Sequence, residues 1–154
     1  KEQLRAIYTG KVSNWKDVGG PSLKIIVVGR DTNSGTYETF ETKVLNKMEV
    51  TARAEIVGAN GGVIQRVSTT RGAIGYVGLG FTTSTVKIVP VDGIAPSKET
   101  VLANTYPIAR PLFFYTNGMP AAETGVAEFL GLKDTAAGRD LVEAAGFIAI
   151  PEKK

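Results

Sequence analysis

The feature that most constrains this chain is the run Ile25-Ile26-Val27-Val28, four consecutive apolar residues that are all β-branched. Such side chains crowd a helix but pack well on a pleated surface. A run this short, with no polar alternation, reads as a strand covered on both faces, as parallel sheets flanked by helices require. Gly19-Gly20-Pro21 punctuates the chain before it and Gly29 ends it. A polar loop, Arg30 to Gly35, follows. From Thr36 to Asn46 the residues Tyr37, Phe40, Val44 and Leu45 form an apolar stripe at helical spacing. The segment is therefore a strand–loop–helix unit.

The pattern continues on both sides. Leu4, Ile7 and Tyr8 fit one face of an opening helix that Thr9-Gly10 ends, and a polar turn with Trp15 follows. A second unit has a strand at 54–57, a loop Gly58-Ala59-Asn60-Gly61-Gly62, and a helix through Val63, Ile64 and Val67. Further strands are expected at 73–77, 86–91, 112–115 and 147–150, with a short helix at 96–103 and longer ones at 121–130 and 135–145. Alternating strands and helices indicate an α/β fold whose sheet is mixed but mostly parallel. The shift around 104–110, with Pro107 and Pro111, marks the best boundary between two lobes.

Composition closes off several functions. With 43% apolar and 21% charged residues the chain has the make-up of a globular domain, and its longest apolar runs are far too short to cross a bilayer. The absence of Cys and His excludes the usual zinc sites, thiol nucleophiles, Ser-His-Asp triads and histidine bases. The net charge of +3 is spread along the chain without the basic, aromatic-interleaved cluster that nucleic-acid binding needs. No convergent acidic group has metal-site spacing, no carboxylate pair suggests acid–base catalysis, and no cofactor is implied.

The strongest local signal is Gly29-Arg30-Asp31-Thr32-Asn33-Ser34-Gly35-Thr36 between strand and helix. The first turn of a helix carries N–H groups without intrahelical acceptors, and the helix dipole adds positive charge there. Gly35 lets the backbone approach an anion, Ser34 and Thr36 offer hydroxyls, and the planar fork of Arg30 suits a tetrahedral oxyanion. The same residues serve equally well as ordinary caps, with the arginine solvated. Asp31 reads as a partner that orients or balances Arg30, and Asn60 with Gly61 as supporting donors or a tight turn. The loop at 58–62 lacks the Lys-Ser/Thr ending of a P-loop, and 75–80 has its glycines in the wrong order for a dinucleotide fingerprint.

Longer stretches resemble the phosphate-binding proteins of ABC-type phosphate importers. The stretch 4–20, LRAIYTGKVSNWKDVGG, is similar to their opening motif, and Val28-Gly29-Arg30 with Ser34-Gly35-Thr36 to their anion loop. Arg71 to Val77, Tyr106-Pro107-Ile108 with Arg110-Pro111-Leu112, and 138–150 follow in the family's order.

The resemblance implies a two-lobed, type II periplasmic-binding-protein fold that closes on its ligand by a hinge. Residues 1–104 would be the phosphate-gripping lobe and 105–154 the C-terminal strand and helices of the other lobe. Arg30, Ser34, Gly35 and Thr36 would bind inorganic phosphate, for delivery to a membrane permease from the periplasm or the extracellular side. By the same comparison the N-terminal part of the first lobe is absent, so the chain is expected to hold half of the clamp, to bind weakly, and to be able to self-associate through the face left bare. Thr32 and Asn33 depart from the family's usual acidic–glycine pair. The alternatives are an enzyme acting on phosphate esters and a non-transport interaction module on the same fold.

Overall fold

The computed structural model describes residues 1–151, in two compact units, Lys1–Ala109 and Arg110–Lys154. In the first unit Ile26, Val27 and Val28 of the apolar run open β1, Ile26–Arg30, which is the central strand of a three-stranded sheet. β2, Glu55–Val57, and β3, Ala73–Ile74, lie on either side of it, both parallel to it. The register sets Arg30 opposite Val57 and Val27 opposite Ile74.

Side chains of a strand alternate between faces, and β1 uses both. Val27 packs into a cluster with Ile7 and Tyr8 from α1, Glu2–Tyr8, and with Phe40, Val44 and Leu45 from the helix that follows β1. That helix is α over Gly35–Phe40 (α2) and widens to a π-helix over Glu41–Leu45 before Asn46 ends it in the left-handed conformation. Arg5 Nε donates to the Val44 carbonyl at 2.7 Å, tying α1 to this wide turn. The opposite face of β1 presents Val28 to α3, Asn60–Thr69, whose Val63 is fully buried.

Two glycines make this second contact tight. A Cβ on Gly75 would fall 2.5 Å from Val63 Cγ1 and 3.0 Å from Val67 Cγ2, and one on Gly62 would fall 2.6 Å from Val57 Cγ1. α3 therefore rests directly on the sheet. Further along, α4, Lys98–Leu102, begins with a reciprocal cap between Ser97 and Thr100.

The second unit has α5, Gly125–Leu132, packed on α6, Ala136–Ala144, with Phe114 meeting Phe129 edge-on at 5.8 Å. Thr124 and Thr135 cap the two helices through their side chains. Gly146, at φ +82°, follows the end of α6.

The expected strands at 86–91, 112–115 and 147–150 do not form. Val91 makes only an isolated bridge to Ile94, and Ile88, Val89 and the 112–115 side chains stand exposed. A strand is completed by a neighbour that accepts its ladder bonds, and the apolar pattern says nothing about whether one is present. β3 likewise stops at Ile74, two parallel pairs from its start, and Gly75 to Gly78 continue outside the sheet.

Candidate functional site

β1 and β2 run parallel and end side by side at Arg30 and Val57, and α2 and α3 start from the loops that follow. Ligand sites of open parallel sheets lie at this carboxyl edge. Two helix starts and one arginine therefore share one edge by topology alone.

Arg30 is buried, with 9% of its surface exposed. Its guanidinium is anchored by the β2–α3 loop. Nε donates to the Val57 carbonyl at 3.1 Å, one terminal nitrogen to Asn60 Oδ1 at 2.7 Å, and the other to the Gly58 carbonyl at 3.0 Å. A guanidinium has five N–H donors, so one remains on each terminal nitrogen. Among the described residues no carboxylate lies within ion-pair distance of it. A buried cation without a counter-charge is costly, and such a group is normally paired or meets an anion.

Ser34 is buried as well and caps α2, its Oγ accepting from the Thr36 and Tyr37 amides at 3.2 and 3.3 Å. Those contacts use the oxygen as acceptor and leave the O–H to donate. Thr36 Oγ1 has no hydrogen-bond partner among the described residues, and Gly35 occupies the first position of the helix, where its amide lacks an intrahelical acceptor. The capping and anion-binding readings of this loop are thus compatible: Ser34 caps, and donors remain.

Asp31 does not act as expected. Its Oδ1 accepts from the Asn33 amide at 3.0 Å, a local Asx turn, and the oxygen on Arg30 comes from Asn60 instead. Asp31 lies just past the end of β1 and reaches the edge of the β2–α3 loop near Gly58 without meeting the guanidinium, whereas the parallel register brings that loop directly to Arg30. Gly61, in the first turn of α3, is exposed and faces open space.

The residues sequence reasoning did not assign lie beneath the site. The Tyr76 hydroxyl accepts from the Arg30 amide at 3.2 Å, and Phe40 stacks on the Tyr76 ring at 4.0 Å with the planes 4° apart. Tyr8, wholly buried, packs on both rings and donates its hydroxyl to the Val28 carbonyl at 3.2 Å. Burial pushes the Tyr8 and Tyr76 phenols above their usual range. The signal was a pair of polar-tipped aromatics inside apolar runs, which a buried site satisfies only with hydrogen-bond partners. Beside Arg30 opens a cleft of about 420 Å³, whose lining also includes Asp31, Thr32, Tyr37 and Glu49. Burial, followed by the Glu41 carboxylate that accepts its hydroxyl at 3.1 Å, raises the Tyr37 phenol too. Among the described residues no group of acidic side chains is arranged to hold a metal ion.

A family model described as a PBP superfamily domain matches residues 1–132. The chain belongs to the PBP superfamily. It is 36% identical to the phosphate-binding protein PstS of Borreliella burgdorferi over 97% of its length, and 36% identical to that of Staphylococcus aureus USA300 over 99%. It covers 57% and 49% of those two proteins, so this PBP chain spans about half the length of the relatives it matches. Among solved structures it matches, with a TM-score of 0.84 and 30% identity, a putative phosphate ABC transporter substrate-binding protein with bound phosphate from Clostridium perfringens, over 97% of this chain and 62% of that one. A PstS structure from Borrelia burgdorferi matches with a TM-score of 0.78 and 35% identity, over the same shares of the two chains.

Proposed function

We propose that this chain supplies the arginine-bearing side of a phosphate-capture site in a solute-binding component of an ABC phosphate importer. The observation that carries this is Arg30: a buried guanidinium with no carboxylate within ion-pair distance among the described residues and two N–H donors left over, at an edge where α2 also starts. Ser34, Gly35 and Thr36 complete the donor set. The names of the relatives supply the anion, and nothing in the loop contradicts it. In this reading the first compact unit, Lys1–Ala109, is the gripping lobe and the second belongs to the other lobe, which sets the boundary slightly beyond the expected 104, with Ile108 packed on the first unit's core.

The proposed role is capture, not turnover. With no His or Cys in the chain, the groups around Arg30 offer hydrogen bonds to an anion and no activated nucleophile. The parent protein works outside the cytoplasmic membrane and hands phosphate to a permease; no described helix is long and apolar enough to cross a membrane itself. Two charge-assisted bonds contribute roughly 1.5–3 kcal/mol each, so Arg30→Ala removes about 3–6 kcal/mol, or two to four decades of affinity. An open edge screened by water binds weakly to begin with. Calorimetric titration with inorganic phosphate is expected to show weak binding by this chain and none by Arg30→Ala. Equal heats from both proteins, or release of phosphate from a generic ester, would refute the reading.

A further inference from the structure

Arg30 is held entirely by neutral oxygens. Two of its anchors, the Val57 and Gly58 carbonyls, belong to the backbone and carry no charge whatever the sequence. The third and shortest is the Asn60 side chain. It is the one anchor whose charge depends on residue choice, because an aspartate has the same shape and the same acceptor at that point. A carboxylate there would form a close ion pair with the guanidinium and cancel much of the field it directs outward.

The other charged or titratable groups facing this spot stop short of pairing with Arg30. Asp31, whose Oδ1 accepts from the Asn33 amide, and Glu49 line the same cleft outside ion-pair distance, so they weaken the field without cancelling it, and Tyr37 stands there as a neutral phenol. Tyr76 meets the Arg30 backbone as a neutral phenol. On the elements that carry the anchors, the Glu55 carboxylate of β2 is taken by Arg66 of α3 in a two-bond contact of 2.6 and 2.8 Å.

We propose that Asn60 is a positioning residue that fixes the Arg30 guanidinium without neutralising it, which sets the site to favour a doubly charged tetrahedral oxyanion over its singly charged form. This rests on the phosphate reading above. The affinity for inorganic phosphate then rises from about pH 6 to about pH 8, as the second phosphate proton leaves.

The test compares the chain with Asn60→Asp and Asn60→Ala, using phosphate titrations at both pH values and an NMR titration of the introduced carboxyl. Asn60→Asp is expected to weaken binding about tenfold or more at the higher pH and to flatten the pH dependence. Asn60→Ala frees the arginine but leaves its charge, so affinity falls at both pH values and the slope stays. The introduced carboxyl is expected to titrate well below the usual aspartate value of about 3.9. Unchanged affinity and slope in Asn60→Asp overturn the proposal, as does a carboxyl that titrates at or above the usual value. Where the parent chain ignores phosphate, the phosphate reading falls, and the carboxyl titration by itself upholds or overturns the unneutralised guanidinium.

Discussion

Gly75→Ala tests how closely the site depends on the packing beneath it. The added methyl would lie 2.5 Å from Val63 Cγ1 and 3.0 Å from Val67 Cγ2, where ordinary carbon contacts need about 3.5–4.0 Å. Both neighbours are β-branched and stiff, and Val63 is 1% exposed, so neither side chain can swing aside. α3 must instead lift from the sheet by about 1 Å. Overpacking of this kind costs roughly 1–3 kcal/mol. For a chain of this size that lowers Tm by roughly 2–4 °C per kcal/mol. Because Asn60 is the first residue of α3, the lift also loosens the anchor of Arg30, and on the proposed function it weakens phosphate binding. Gly61→Ala is the control for stability. Nothing lies within 4 Å of a Cβ there, and alanine has the better helix propensity, so Tm is expected to hold or rise. Thermal melts of the two variants decide the matter. A Gly75→Ala protein as stable as its parent would refute the reasoning.

Two further outcomes follow from the same geometry. Ser34→Ala removes the α2 cap and, in the proposed site, a donor to the anion, so it should cost about 1 kcal/mol in denaturant titrations and also reduce phosphate binding. Tyr8 and Tyr76 are held neutral in the fold, their phenols raised by burial above the unfolded value of about 10. The unfolded chain therefore ionises first as pH rises, so the stability these groups contribute is complete below about pH 10 and is lost as pH climbs through their folded values. Melting curves from neutral pH upward should show a steep alkaline decline that is shallower in Tyr8→Phe.

Much of this was legible in the chain, for identifiable reasons. Ile25–Val28 announced a central strand because only burial on both faces suits four β-branched residues in a row. That Arg30, Ser34, Gly35 and Thr36 lie at one strand-to-helix turn was legible because a short loop keeps the strand end and the helix start together; their meeting an anion is the proposal. What fastens Arg30 was not legible. Its anchors come from 27 to 30 residues away, through a register that no local pattern encodes. Asp31 was the nearest carboxylate in sequence and therefore attracted the role that Asn60 fills. The apolar stretches 86–91 and 112–115 looked like strands because they carry strand residues, but pairing depends on a neighbour as well as on composition. The widening of the second helix at Glu41–Leu45 also left no mark on its apolar stripe.

The central claim is that Arg30 meets the anion, and side-chain NMR of the arginine N–H groups during phosphate titration tests it most directly. The Arg30 terminal N–H signals are expected to shift together with the Gly35 and Thr36 amides, saturating at one common phosphate concentration. Saturable shifts that leave Arg30 untouched, with phosphate bound elsewhere on the chain, would contradict it.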